Sequence, residues 1–480
     1  MAVAEAPRAS FVDRALLYPA QVTREGGDAA RILVVSNFYP PESLGGAEYH
    51  ARDYALELVR RGYSVQILAG GSWEGGNRYW SGYRDHSEQG VAIRRVDLDW
   101  RRASDPNRSL YSNPVVGRHF ETWLDEWRPD LVHVVSCYTL SAEILEIAHR
   151  RRIPVLLHLT DFWFLCPKTI LLRGDGTLCD GRTTPQQCIA CLFHGQRPLE
   201  WARRAVGERA AIALLDLASR HPSISRVRPL RGRALDIRER KTRLVRALTL
   251  ADRVIALSEH LRRIFVATGA RSDMEVITAG HDLPQPSERR EAPELRFGFL
   301  GQVKELKGVH LAVEAYLSAS LERPASLTIW GGPVEDNPYR DQLVARAEGR
   351  RDVRFPGVLA RQDLSEGLAA IDVLIVPSLW HENYPRVVRE AFHCGVPVLA
   401  SDVGGIADFV RDGVDGLVFA RGSVAALRRQ IERVASEPAL LPRLRSGLPV
   451  AKTVAQEADE LEAVYRDLLD RPRRREKARC

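Results

Sequence analysis

Two carboxylates eight positions apart, Glu382 and Glu390, begin and end the run Glu382-Asn-Tyr-Pro-Arg-Val-Val-Arg-Glu390. A stretch with a β-rich core (Val396 to Ala400) follows, and then the pair Gly404-Gly405. The first acid is expected in a loop and the second inside a helix, so one can meet a sugar and the other a ribose. Two glycines opening a helix let backbone amides approach a phosphate, with the helix dipole behind them. Upstream, Gly301-Gln-Val-Lys-Glu-Leu-Lys307-Gly308 sets a cation, Lys307, just ahead of a predicted helix. A ligand with a diphosphate, a ribose diol and a hexose needs this set of groups: a cation, backbone amides and carboxylates. Each has a plainer reading, since Lys-Gly before a helix is a common surface turn and helical acids are commonly a solvated face. A glutamate preceding an apolar helix that runs into a buried strand fits that solvated reading poorly.

The surrounding chain builds the same kind of unit twice. Arg31-Ile-Leu-Val-Val-Ser36 has the unbroken apolar run of a buried strand, and Asn37-Phe-Tyr-Pro-Pro-Glu-Ser-Leu-Gly45-Gly46 follows it. A helix over 47–61 closed by Gly62, then a strand over 64–69, complete a strand–loop–helix–strand unit of a parallel sheet. Glycine at 45 and 46 allows close backbone approach to a phosphate or reacting centre. Further strands are expected at 91–97, 130–136, 153–159, 252–257 and 274–278. The Pro- and charge-rich run Leu283 to Pro293 reads as a linker, after which strands recur at 296–300, 327–330, 353–356 and 373–376. The expected division is an N-terminal extension (1–30), a first domain (31–285) carrying an insert (162–246), a second domain (286–452), and a C-terminal helix with a basic tail (453–480).

Taken together, Glu382-x7-Glu390, Lys307-Gly308, Gly404-Gly405 and the Asn37-to-Gly46 loop resemble the motifs of family 4 retaining glycosyltransferases. The resemblance implies the GT-B fold: two Rossmann-like, doubly wound α/β domains facing across a cleft. The first would bind acceptor and the second the nucleotide sugar, with the last helix packed back on the first domain. By the same resemblance Lys307 contacts the diphosphate, Glu390 the ribose hydroxyls and Glu382 the donor hexose, beside the backbone amides of Asn383 and Tyr384. Gly45 and Gly46 border donor and acceptor, and Gly404 and Gly405 approach the phosphates. The chain departs from the pattern in places. Gln302, taken as a donor contact, stands where an arginine is usual, with Lys304 as a substitute cation, and Pro385 brings no amide hydrogen. In His158-Leu-Thr160-Asp161-Phe-Trp a threonine replaces the usual histidine, which leaves Asp161 or Thr160 to touch sugar or acceptor. His133 also matches a family position, although a buried strand histidine is more often structural.

The implied activity moves a hexose-type sugar from a nucleotide diphosphate sugar to a saccharide or lipid-linked acceptor, in polysaccharide or cell-envelope glycan synthesis. Glu382, Lys307 and Asp161 are the candidate catalytic residues. The family mechanism uses no protein nucleophile; the leaving diphosphate helps take the acceptor proton. No Asp-x-Asp motif stands in a loop that would hold Mg²⁺, so no catalytic metal is expected. Two other readings are a phosphorylase or sugar-phosphate synthase on the same fold, and a polyanion-binding module, which leaves the donor motifs unexplained.

Four of the seven cysteines cluster as Cys166-x12-Cys179-x8-Cys188-x2-Cys191. Such a cluster in a cytosolic chain reads as a structural Zn²⁺ site, with an iron–sulfur cluster as the runner-up and unlinked buried thiols as the bland reading. The net charge of +7 is uneven: residues 196–246 hold 14 Arg/Lys against 5 Asp/Glu. Only six of the 69 basic residues are lysine, a bias expected of a GC-rich genome rather than of nucleic-acid binding. Arg203, Arg204, Arg226, Arg228, Arg231 and Arg233 alternate with apolar residues, a mixture suited to an anionic membrane surface or, more plainly, to a solvated helical hairpin. No apolar run reaches the roughly 20 residues that span a bilayer. The N-terminus lacks the order of a signal peptide, so the expected location is the cytoplasm, peripherally on the inner face of the membrane.

Overall fold

The computed structural model describes residues 29–42, 45–72, 81–98, 106–219, 235–283, 285–289, 292–333 and 335–470. The extension, the tail, and Arg226, Arg228, Arg231 and Arg233 lie outside the described residues, apart from the last two positions of the extension. Two sheets organise the rest. The first has eight strands: β1 (Arg31–Ser36), β2 (Ser64–Ser72), β3 (Ser81–Glu88), β4 (Val91–Leu98), β5 (Leu131–Val134), β6 (Val155–Leu159), β7 (Arg253–Ala256) and β8 (Glu275–Val276). Their spatial order is β3-β4-β2-β1-β5-β6-β7-β8, and every pairing is parallel except β3 with β4. The second sheet is wholly parallel, with β9 (Leu295–Leu300), β10 (Ala325–Trp330), β11 (Val353–Gly357), β12 (Val373–Val376), β13 (Val398–Ser401) and β14 (Gly416–Phe419) in the order β11-β10-β9-β12-β13-β14.

Both sheets are covered by helices, which is why their central strands read as continuous apolar runs. Ile32, Leu33, Val34 and Val35 of β1 are completely buried. In both sheets the order reverses beside the first strand, β1 or β9, and such a switch point opens a crevice at the strand ends. The class expected from the sequence, two Rossmann-like α/β units, is the observed one.

The C-terminal helix, Val454–Asp470, returns to the first unit. Its Ala458, Leu461, Val464, Tyr465 and Leu468 share a core with Ile32, Val34, Tyr54 and Leu58. Arg61, buried at the end of the helix Gly46–Arg60, fastens this packing by donating to Asp459 at 2.7 Å and Glu462 at 2.9 Å. The antiparallel edge strand β3 and the short β14 were not foreseen. The basic segment forms helices Arg197–Val206, Glu208–Ser219 and Leu235–Leu248. Among the described residues no helix is long and apolar enough to cross a membrane.

Candidate active site

The loop between β12 and the helix Arg386–His393 carries Glu382, only 6% exposed. One carboxylate oxygen, Oε1, accepts three donors: Lys307 Nζ at 2.6 Å, Ser378 Oγ at 2.7 Å and Trp380 Nε1 at 3.0 Å. The lysine also lies 5.2 Å from the centroid of the Trp380 ring. Two residues 75 positions apart, each predicted to touch the donor, therefore hold one another. Gly308 makes the lysine turn possible: its φ is +67°, and a side chain there would collide with the Pro377 carbonyl.

Gly404-Gly405 lies directly against this loop. At Gly404 (φ +61°) a Cβ would sit 2.6 Å from the Glu382 amide nitrogen, and at Gly405 it would sit 2.7 Å from the Asn383 carbonyl. The Gly405 N–H donates to the Glu382 carbonyl, so this amide is occupied within the protein. The helix that follows, Ile406–Phe409, is a single turn. The glycine pair thus serves first to let two loops touch, and the expected helix-opening phosphate cradle is reduced to that one turn.

Glu390, on the helix Arg386–His393, faces the first domain. Its Oε1 lies 3.8 Å from Arg361 and 3.9 Å from Arg386. The same two arginines reach Asp53, on the helix Gly46–Arg60, at 3.9 Å and 3.8 Å. Tyr49 lies under both guanidinium groups, and Arg386 donates to the Gly46 carbonyl at 3.3 Å. Burial raises the Glu390 pKa while the two arginines pull it back. Sequence reasoning missed Arg361, Arg386, Asp53 and Tyr49. The one available signal was Arg386, four residues ahead of Glu390 on the same helix face.

On the first-domain side, the buried Glu48 carboxylate folds back beside Gly45 at the start of the first helix. Asp161 follows β6 and accepts the Trp163 N–H at 2.7 Å. Desolvation pushes its pKa up to about 6, the Trp163 amide and Arg240 lower it, and Glu48 raises it. Asn383 bridges the cleft by donating to the Thr160 carbonyl at 3.1 Å, which brings the Asp161 turn beside the Glu382 loop. Tyr384 donates to the Ala279 carbonyl, and its ring packs on Phe409 at 5.0 Å. Gln302 and Lys304 are exposed. His133 is fully buried, with Nδ1 bonded to the Tyr465 hydroxyl at 2.7 Å, so it belongs to the core and not to the cleft.

The four clustered cysteines line one cavity of about 30 Å³ beside Leu165, Leu171 and Leu172. Burial raises the thiol pKa of Cys179 and of Cys188. Among the described residues, no three of the four sulfurs lie within 4.8 Å of one another. They share a cavity the size of one ion or water, without a ready-made tetrahedron. The segment also reaches the second domain: Arg421 donates to the Gly176 carbonyl at 2.7 Å, and His381, the neighbour of Glu382, meets the Cys179 carbonyl at 3.2 Å. The cysteine-bearing segment therefore walls the Glu382 loop from the first-domain side.

Comparison with known proteins fits this arrangement. A model described as "Glycosyl transferase 4-like domain" matches residues 45–280, and one described as "Glycosyl transferases group 1" matches residues 294–437. The chain belongs to glycosyltransferase family 4. A D-inositol 3-phosphate glycosyltransferase of Streptomyces bingchenggensis is 31% identical over 219 residues, covering 41% of this chain and 48% of its own. A 2-deoxystreptamine glucosyltransferase of Streptomyces kanamyceticus is 34% identical over 186 residues, covering 38% of this chain and 45% of its own. The chain thus spans about half the length of the curated relatives it matches. Among solved structures, Anabaena HepE in complex with UDP and glucose superposes with a TM-score of 0.58 at 17% identity, covering 92% of this chain and 100% of that one. Sucrose-phosphate synthase of Thermosynechococcus elongatus gives 0.61 at 18% identity, covering 92% and 99%. These likenesses establish the two-domain GT-B fold.

Proposed function

We propose that this family 4 chain transfers a hexose-type sugar from a nucleoside diphosphate sugar to a saccharide, polyol or lipid-linked acceptor in glycan synthesis. The observation that carries the reading is the Lys307–Glu382 contact, 2.6 Å long, in a buried loop at the face of the second domain. A donor diphosphate would draw Lys307 toward itself, while the Glu382 carboxylate, still held by Ser378 and Trp380, would meet hexose hydroxyls. Glu390, with Arg361 and Arg386 against it, suits a ribose diol beside a phosphate. In transfer, the bond from sugar C1 to the phosphate oxygen breaks and a bond from C1 to the acceptor oxygen forms. The acceptor proton passes to the departing diphosphate. The protein's part is positioning and stabilising charge on that leaving group.

The named relatives act on inositol 3-phosphate and 2-deoxystreptamine, both cyclic polyols, which supports small polyols as first acceptors to try. We place the acceptor side on the first domain and the chain at an anionic membrane surface, on the strength of the exposed apolar and basic helices Arg197–Val206 and Glu208–Ser219. The decisive experiment incubates the protein with radiolabelled nucleotide sugars, alone and with inositol phosphate, aminocyclitol or lipid-linked acceptors. Slow hydrolysis of one donor, accelerated by one acceptor, is the expected result. Phosphorolysis of a glycan, or no turnover of any donor, overturns the reading.

A further inference from the structure

Behind the cleft wall, three ligating side chains from distant parts of the chain meet in a closed interior. His50 comes from the helix Gly46–Arg60, His158 from β6 and Glu457 from the C-terminal helix. Their exposures are 4%, 0% and 0%, and one donor atom from each lies within 4.8 Å of the other two. His50 Nε2 and Glu457 Oε1 are 2.6 Å apart, and the other oxygen of Glu457 accepts the Gly280 N–H at 2.7 Å. The His158 ring stands edge-on to that of His50, with centroids 5.1 Å apart.

A buried histidine–glutamate pair would explain two of these residues by itself. It leaves the third unexplained: among the described residues neither ring nitrogen of His158 has a partner of good hydrogen-bond geometry, and the Ile277 backbone gives one of them at most a weak contact. An imidazole taken wholly out of water with at least one nitrogen unmet does not recover the hydration it loses. Its neighbours do not supply the missing contact. His133 stacks at 5.8 Å with its own Nε2 unpartnered, and Lys452 is engaged with the Thr278 carbonyl and Glu460.

We propose that His50, His158 and Glu457 bind one divalent transition-metal ion, with zinc as the best match to two imidazoles and a carboxylate. Coordination would use a lone pair from each neutral ring and one carboxylate oxygen, with a water completing the shell. The proton on the His50 nitrogen facing Glu457 moves to the other ring nitrogen, so the ring stays neutral, and no electron is transferred. In a tetrahedral zinc shell neighbouring ligand atoms stand about 3.4 Å apart, so the His50–Glu457 contact opens by under ~1 Å. The Gly280 amide on the second Glu457 oxygen is the outer-shell contact that fixes a carboxylate ligand. The ion would rivet the returning C-terminal helix to the first domain. It would sit one helical turn from Gly45-Gly46 and three residues before Asp161, stiffening the cleft wall from behind.

The test uses the full chain, stripped with a chelator and titrated with Co²⁺. Wild-type protein and a Cys166→Ser/Cys179→Ser/Cys188→Ser/Cys191→Ser variant should both show the visible ligand-field bands of a nitrogen–oxygen site. The variant should lack any thiolate charge-transfer band. His158→Leu, which removes the poorly met ring nitrogens, should stay folded, lose this cobalt equivalent and lose the rise in Tm on adding Zn²⁺; Glu457→Gln should lose the equivalent too. Should the cysteine variant fail to fold, wild-type spectra still separate thiolate from nitrogen–oxygen binding. Folded wild type showing only a thiolate spectrum, or no cobalt bound, overturns the proposal. So does a His158→Leu protein that keeps the full nitrogen–oxygen signal.

Discussion

At the scale of single residues, the site is held by its own opposite charges before any ligand arrives. Lys307 is paired with Glu382, and Glu390 with Arg361 and Arg386, so under the proposed function a donor exchanges contacts rather than entering a void. Removing Lys307 leaves Glu382 with two neutral donors, Ser378 and Trp380, and the loop retains its shape. Lys307→Ala and Glu390→Ala are therefore expected to lose transfer while circular dichroism and Tm stay close to wild type. Each forfeits a charge-assisted contact of about 1.5–3 kcal/mol, or roughly ten- to a hundredfold in donor affinity by calorimetry. Wild-type donor binding in either variant contradicts the assignment. Asp161 supplies a pH prediction. Its folded pKa, about 6, lies above the usual 3.8, so between these values the native chain holds more of this proton than the unfolded chain does. The contribution of Asp161 to stability therefore falls as pH rises through that window and levels off above about 6. Asp161→Asn should be more stable at neutral pH by about 1–3 kcal/mol, read from denaturant midpoints. If the ionised carboxylate serves the reaction, the wild-type rate drops below about pH 6 and Asn at 161 is poorly active throughout.

At the scale of elements, the parallel strands and the turn glycines were legible because each rests on local pattern. The buried run 31–36, the Gly308 turn and the helix after Pro385 need no knowledge of distant residues. The edge strand β3 was not legible, since Ser81–Glu88 is largely exposed and carries no apolar alternation. The Asp53–Arg361–Arg386–Glu390 group was hidden for another reason: it joins a helix of one domain to a loop and a helix of the other. Ordinary surface-type residues in sequence become a buried network only when the domains face each other. The cysteine segment is intermediate. Its composition pointed to a metal, while its contacts with His381 and Arg421 of the second domain could not be read from spacing. If the four cysteines close on one zinc, or on an iron–sulfur cluster, elemental analysis of anaerobically purified protein will find metal bound by them. Cys188→Ser will then lower both Tm and activity, because the wall beside Glu382 loosens. Thiols that bind no metal, with Tm and activity unchanged in Cys188→Ser, remove the staple.

At the scale of the whole molecule, two surfaces beyond the cleft yield predictions. The first is the seam between domains, where His260 and His381 stack with Nε2 and Nδ1 3.0 Å apart. Burial is the largest cause holding both rings below the usual 6.5, His260 at about 4. A depressed histidine contributes stability that is full above the unfolded pKa and is lost as pH falls toward the folded one. Acidification from about 6.5 to 4 should therefore loosen this seam, visible as faster amide exchange around 258–263 and 379–384 before global unfolding. A seam equally protected at pH 4.5 and 7.5 would refute the coupling. The second surface is the helical pair Arg197–Val206 and Glu208–Ser219. Trp201 is 74% exposed, Leu214 56% and Leu217 64%, so both helices turn large apolar side chains to the surface, and Arg204 is exposed as well. Arg203 contributes less charge than its sequence position suggested, because Glu200 and Glu208 each hold it at 2.9 Å. Exposed apolar and basic side chains of this kind suit the interface of an anionic leaflet, the aromatic ring at headgroup depth and each free cation adding about 1 kcal/mol near the surface. Co-sedimentation with vesicles containing phosphatidylglycerol should exceed that with neutral vesicles and weaken as salt is raised. Trp201→Ala should lower binding at every salt concentration, whereas Arg204→Ala should cost about fivefold at low salt and little at high salt. Binding indifferent to lipid charge, salt and both substitutions would leave this pair of helices as a solvated hairpin and the acceptor to be reached from solution.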